Sequence, residues 1–502
     1  MTRRRPLPPG RWWLALVAIP SLLALHLGWL GAAPNPAGDE GNWALLGLAA
    51  SRGEAFALPP EARFVTTLFA RCIGWSFQLL GPSWASARIV PALAVVLGAA
   101  GLGAALATAG RPREGAVLAL AVALHPWGVA WGRTVSVPYA LPYVLTLLGA
   151  VALWRASLAP SRSRAFGWCL GASQALGLAL QGSPLALTAA LAGCVTLALE
   201  PSWRRPWKTP EGALAALLGA LHALPLALSA ATVQHASPPV GAPPEPLLAR
   251  LASYANGALG GVSGEATVRH FAGSHRAAWA LSTLAALGLL GGVLRPRDPL
   301  GRHALRWLGV SALTLPALLY STRAWHLPTV DTDRYAFVFA APMALCVACV
   351  PWDPRGRAAV ALAALLWGAG SLRLAAHFAF GGAPDRGLSA WDGGPYRGWQ
   401  PLEGHLPLPD TLREAALDDA RGLPVALVYD DYAFHAVRFP NAVAGDHRAT
   451  HRLGALAPVP GRRSYAVTFT AAPSQPVTGR IVRIFRHPDG SPWCALRALE
   501  GL

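Results

Sequence analysis

Charge is what this sequence has least of. Only 13% of its 502 residues are Asp, Glu, Lys or Arg, where a soluble globular chain carries about a quarter. That shortage excludes an ordinary soluble enzyme. Lysine is nearly absent, so the basic residues are almost all arginine. Cysteine is sparse, with six residues at 72, 169, 194, 346, 349 and 494. Cys346 and Cys349 form a CxxC inside an apolar stretch, without a nearby His or a second pair, which favours helix packing over metal or redox work. The chain also lacks internal repeats, and its apolar blocks are nearly free of acids.

What remains is hydrophobic: 53% apolar residues and a mean hydropathy of +0.37. The apolar residues run in blocks of about 18–22, each long enough to cross a bilayer as a helix. Eleven spans are predicted, near 12–33, 86–109, 115–131, 137–156, 166–181, 183–199, 211–233, 276–294, 304–320, 334–350 and 359–379. The net charge of +17 is spread as short arginine clusters on alternate connections: Arg3–Arg5, Arg111/Arg113, Arg155/Arg162/Arg164, Arg204/Arg205, Arg295/Arg297/Arg302 and Arg355/Arg357. Such spacing follows the positive-inside rule and points to anionic membrane lipids as partners, not nucleic acid. It places the amino terminus in the cytoplasm of a multi-pass inner-membrane protein. Segments 34–85, 132–136, 234–275, 321–333 and everything after 380 then lie outside. No small-residue cleavage site follows the first block, which reads as an uncleaved span.

The first outer segment is strongly patterned. Asn42 to Ala50 and Phe64 to Leu80 carry apolar residues at helical spacing, as interfacial amphipathic helices do. Beyond the membrane domain (1–379) and a Gly/Trp-rich linker (380–400), residues 401–502 read as a small extracytoplasmic α/β domain. A helix is expected over 411–421 and strands near 424–429, 464–470 and 480–485.

Asp39 and Glu40 stand together just after the first span. Adjacent carboxylates at a membrane surface raise each other's proton affinity and resist desolvation. They suit a general base, or a ligand for a divalent cation such as Mg or Mn, with Asp39 the ligand if there is one. The bland reading is equally good locally: acids favour a helix N-terminus, and Gly38-Asp-Glu precedes an amphipathic helix.

The order of motifs adds to this. Asp39-Glu40, Trp43, the amphipathic stretch Phe64–Leu80, the turn Gly81-Pro-Ser83 and Ser86-Ala-Arg88-Ile-Val-Pro91 resemble the first outer loop of GT-C glycosyltransferases. These polytopic enzymes use polyprenyl-phosphate sugars, as protein O-mannosyltransferases and aminoarabinose transferases do. His125-Pro126 to Gly132-Arg133, and Asp333-Arg334-Tyr335 with Pro342, resemble later elements of the same family. The resemblance implies catalytic roles for Asp39 and Glu40, and donor-phosphate pairing by Arg133, Arg334 and Tyr335; the alternative for the two arginines is snorkelling to lipid head groups. Arg88 is open either to phosphate pairing or to a structural pairing with the first-loop carboxylates, and Trp43 to loop pairing. The resemblance also implies a polyprenyl-phosphate-linked sugar as partner. Two departures leave the acceptor open: Pro59-Pro-Glu-Ala-Arg63 replaces a Lys-Pro-Pro segment, and Arg133–Pro138 holds no second acid.

Rival readings are a transporter or flippase of lipid-linked substrates, and an inactive GT-C-like assembly subunit. Transporters usually carry ionisable groups near mid-membrane, often in repeated halves; neither is seen here. Trp75, Trp84, Trp127, Trp131 and Trp325 fall near span ends, as an interfacial aromatic belt would. In the tail, Asp430-Asp431 reads as a solvated strand end, and Asp446, His447 and His451 lack the helix that a zinc site at that spacing needs.

Overall fold

The computed structural model describes residues 21–28, 30, 38–54, 68–135, 139–224, 247–273, 276–294, 298–321, 336–380, 408–429, 439, 442–443, 448–453, 456–469, 479–486 and 492–499. Four of its helices are long and apolar enough to cross a membrane: Trp84–Thr108, Ala140–Ser157, Arg276–Val293 and Pro354–Phe378. Around them stand Arg162–Gly182, Leu187–Leu199, Pro210–Leu221, Pro299–Ser321 and Phe337–Ala348. Phe337–Ala348 is buried along its whole length, at the centre of the bundle.

Two elements depart from the sequence reading. The stretch predicted as one span over 115–131 breaks at His125 into Pro112–Leu124 and Pro126–Trp131. Pro126 has no N–H to continue the ladder, and it is pre-set for the first position of a new helix. The His125 ring accepts from the Trp127 backbone N–H at 3.2 Å, capping that new start. Second, the predicted outer loop 234–275 contains helices Leu247–Ser263 and Glu265–Ala272. They are joined by Gly264 at φ +77°, where an added Cβ would lie 2.5 Å from the Pro126 Cγ. Only glycine lets that turn approach the break.

Two of the tryptophans depart too. Trp127 and Trp131 are buried among Tyr143, Phe337 and Phe271 and face no lipid. Trp75 is exposed, and Trp325 lies outside the described residues.

The arginine-rich connections converge at one end of the bundle. Arg111 forks onto Asp298 at 3.2 Å for both bonds. Arg302 and Arg306 share Glu200 at 2.9 and 3.0 Å. A cavity of about 350 Å³ lined by Arg111, Arg113, Asp298, Cys349 and Trp352 opens there. It is separated from Arg88 by most of the helix Trp84–Thr108, roughly 30 Å at 1.5 Å per residue.

The carboxy-terminal region folds as helix Leu408–Asp419 on a five-stranded sheet. Its strands are β1 (Val425–Tyr429), β2 (Ala449–Leu453), β3 (Arg463–Phe469), β4 (Arg480–Arg486) and β5 (Pro492–Ala498), in the order β2-β1-β3-β5-β4. β1 lies parallel to β2 and β3, and β5 runs antiparallel between β3 and β4. β1 is buried throughout, which its apolar run signals. β2 and β5 carry no such run and take their pairing from neighbouring strands. His451 lies in β2, while Asp430, Asp431, Asp446 and His447 lie outside the described residues.

Asp419 ties the helix to the sheet by accepting from Tyr465 at 2.9 Å and from Arg480 at 2.6 Å. Burial alone would raise its pKa, but these donors outweigh burial and hold the carboxyl below its ordinary value. A group depressed on folding stabilises above its unfolded pKa, and that contribution is lost as pH falls through the folded pKa. The Tm advantage of wild type over Asp419→Asn should therefore be full at neutral pH and shrink as pH falls through and below the ordinary Asp pKa of about 3.9. An advantage constant down to that acidity would show that the ionised carboxylate is not the source.

Candidate active site

The candidate site forms at the end of the bundle opposite the arginine-rich connections. The first-loop helices, Gly38–Ser51 and Leu68–Leu80, pack against each other. They meet at glycines: a Cβ on Gly47 would lie 2.3 Å from the Ile73 Cγ2, so the backbones come closer than larger residues allow. Trp43 is buried in this pair, its ring edge-on to Phe69 at 5.6 Å. The first helix begins at Gly38, earlier than its apolar spacing shows, so Asp39 and Glu40 occupy its first turn. Acids there are favoured by the helix dipole, which the capping reading anticipates.

Glu40 does more than cap. Its side chain is 1% exposed, and its carboxylate accepts from Arg88 Nε at 2.9 Å and Nη2 at 3.1 Å. The same carboxylate accepts from the Val135 backbone N–H at 2.8 Å. Arg88, fully buried, uses its remaining Nη1 to donate to the Leu30 carbonyl at 3.0 Å. One ion pair thus joins the end of the first span, the first-loop helix, the second span and the loop after Trp131. Arg88 is aimed by the capping box that starts its helix: Ser83 Oγ accepts from Ser86 N at 3.1 Å, and Ser86 Oγ accepts from Ser83 N at 2.9 Å. The Trp84 ring lies over the guanidinium at 5.6 Å.

Arg133 sits beside this pair. It is 1% exposed, donates from Nη1 to the Leu25 carbonyl at 2.8 Å and from Nη2 to the Gly28 carbonyl, and lies over the Phe378 ring at 5.1 Å. The last carbonyls of helix 21–27 have no partners within that helix, and a guanidinium satisfies them well. Burial first, and then the Arg88 charge, push the Arg133 pKa down to about 10. It stays protonated at neutral pH, close enough to a second guanidinium to repel it.

The first span is anchored from its other side by His26, whose Nε2–H donates to the Ala123 carbonyl at 2.9 Å. The structure therefore brings together Glu40, Arg88, Arg133 and the backbone of Asp39. Arg334 and Tyr335 lie outside the described residues, as does the Asp39 side chain.

A divalent cation needs converging donors. Among the described residues no group of three His, Cys, Asp or Glu side chains converges. Glu40 accepts from Arg88 on both oxygens and from the Val135 N–H, which leaves it little capacity for a cation. Asp39, the expected ligand if a cation binds, has its side chain outside the described residues.

The Glu40–Arg88 pairing was one of two roles open to Arg88 on sequence grounds. Glu265 carried no sequence signal at all. It is 6% exposed and opens the helix Glu265–Ala272, with an i,i+4 contact to Arg269 at 3.8 Å. Only the packing of that helix on Pro126–Trp131 reveals it.

No family model and no curated protein matches the chain. The chain is similar to several solved structures. One is ArnT from Cupriavidus metallidurans bound to undecaprenyl phosphate, at 13% identity and a TM-score of 0.54, covering 97% of this chain and 98% of that one. The apo form of the same protein, also at 13% identity, gives 0.46 with the same coverage. The oligosaccharyltransferase of Archaeoglobus fulgidus, tethered with an acceptor peptide, gives 11% identity and 0.48, covering 97% of this chain and 74% of that one. At these identities the likeness is one of fold, and the first of the three carries it. End to end, the chain shares the fold of that ArnT structure, a bundle of apolar, membrane-length helices with a small carboxy-terminal sheet.

Proposed function

We propose that this chain is an integral-membrane glycosyltransferase moving a sugar from a polyprenyl-phosphate donor to an acceptor outside the cytoplasm, whether a lipid glycan, a protein or a cell-wall polymer. The observation that carries this reading is the full-length likeness to a structure holding undecaprenyl phosphate. The acid-and-guanidinium cluster fits it. Asp39 is the base: its carboxylate takes the proton from an acceptor hydroxyl as that oxygen bonds to the anomeric carbon. The bond between that carbon and the phosphate oxygen breaks, and polyprenyl phosphate departs with the negative charge.

Arg133, Arg334 and Tyr335 receive that charge. Arg133 already donates to two helix carbonyls, so it contributes mainly its field, and Arg334 is left as the fork. An arriving phosphate also relieves the repulsion between Arg88 and Arg133. Glu40 serves by position: locked onto Arg88, it fixes the turn that carries Asp39. A membrane-bound leaving group explains a site at the bundle end, where carrying ions or lipids across would need ionisable groups at mid-membrane.

The test uses purified protein in detergent with a panel of radiolabelled polyprenyl-phosphate sugars and an envelope extract as acceptor. One donor should lose label to the extract and release polyprenyl phosphate. No transfer from any donor, with flux of intact donor into sealed vesicles, would replace this reading with transport.

A further inference from the structure

Phe439, Ala442 and Val443, which lie between β1 and β2 in the sequence, pack against the first outer loop. Phe439 is 1% exposed. Its ring stacks on Phe77 at 5.7 Å and 19°, and meets the Trp84 ring at 4.7 Å. Ala442 and Val443 pack against the same apolar cluster, and Arg52 donates to the Ala442 carbonyl at 3.2 Å. The first-loop helices have 14 and 13 residues, a pair too short to bury a stable core alone. Phe439 supplies a large apolar side chain from outside it.

The position of Phe439 matters more than its bulk. Trp84 touches both Phe439 and the guanidinium of Arg88, and Arg88 holds Glu40 beside Asp39. A contact path therefore runs from the carboxy-terminal domain through Phe439, Trp84 and Arg88 to Glu40.

We infer that Phe439 is a positioning residue: a wedge by which the carboxy-terminal domain holds the first-loop helices and the Arg88–Glu40 fork in working register. Its effect on transfer rests on the glycosyltransferase reading above; its effect on the loop does not. Without the wedge, Phe77 and Trp84 lose their shared partner, the loop helices separate more often, and Asp39 spends less time in place.

Cys72, half-buried in the helix Leu68–Leu80, reports on this directly. In a version of the full-length protein keeping Cys72 as its only cysteine, Phe439→Ala should speed maleimide labelling of the detergent-solubilised protein about tenfold, because the loop helices open more often. Phe439→Leu, which keeps most of the apolar volume, should restore most of the protection. In the transfer assay, Phe439→Ala should lower kcat about tenfold or more while KM for the donor changes little, and Phe439→Leu should recover much of the loss.

Labelling of Cys72 at the wild-type rate in Phe439→Ala overturns the wedge, whatever the transfer assay gives. Faster labelling in a protein whose wild type transfers nothing upholds the wedge and removes the glycosyltransferase reading instead. Faster labelling with undiminished kcat overturns the positioning role.

Discussion

Transfer should fall by at least about 10²-fold when Asp39 is replaced by Asn, with the protein still folded and inserted. The change is nearly isosteric and removes the basic oxygen that takes the acceptor's proton. It leaves the bonds among Glu40, Arg88 and Val135 untouched. Donor binding should therefore persist, and KM for the polyprenyl-phosphate sugar should change far less than kcat. Asp39→Glu, which restores a carboxylate at a longer reach, should recover part of the rate. Initial rates from a radiolabelled donor, beside thermal unfolding of each variant, make the comparison. Full activity in Asp39→Asn would move the base elsewhere.

Arg88→Ala should be the most destabilising single change in the membrane domain. It leaves the Glu40 carboxylate buried without its charge partner, and the Leu30 carbonyl without its donor. Breaking a buried pair from one side costs about 3–5 kcal/mol, because the remaining charge has nowhere to go. Arg88→Lys should rescue poorly, since an ammonium cannot reproduce the fork that meets both Glu40 oxygens.

The informative variant is the double change Glu40→Leu with Arg88→Met. Removing both charges should return much of the lost stability. Transfer should not return with it, because the link that fixes the first turn of the loop helix is gone. Thermal unfolding and transfer rates measured on the same preparations separate the two effects. A stable, inactive double variant supports a positioning role for the pair. An Arg88→Ala protein as stable as wild type would show that the fork holds nothing together.

The two ends of this molecule differed in how readable they were. Apolar runs and arginine spacing marked the membrane helices because lipid imposes composition along a whole segment. The first-loop helix Leu68–Leu80 was equally legible, since its wet and dry faces leave a period in the sequence, whereas Gly38–Ser51 is buried or half-buried where described. The break at His125-Pro126 was less so: its apolar residues continue across it, and only the missing proline N–H marks it. The helices Leu247–Ser263 and Glu265–Ala272 went unseen because their polar residues interrupt any apolar run long enough to span a bilayer.

By itself, then, the sequence determined that this chain is a bundle of membrane helices with a small α/β domain, and that two acids follow the first span. Those properties follow from composition and local period, which each segment carries independently of the others. Tertiary structure alone decided what Glu40 faces. Glu40 meets an arginine 48 residues away and a backbone N–H 95 residues away, and Phe439 crosses from another domain to reach Trp84. A residue's period records that it is buried, never against what, so the partner of a buried charge appears only when distant segments are packed together.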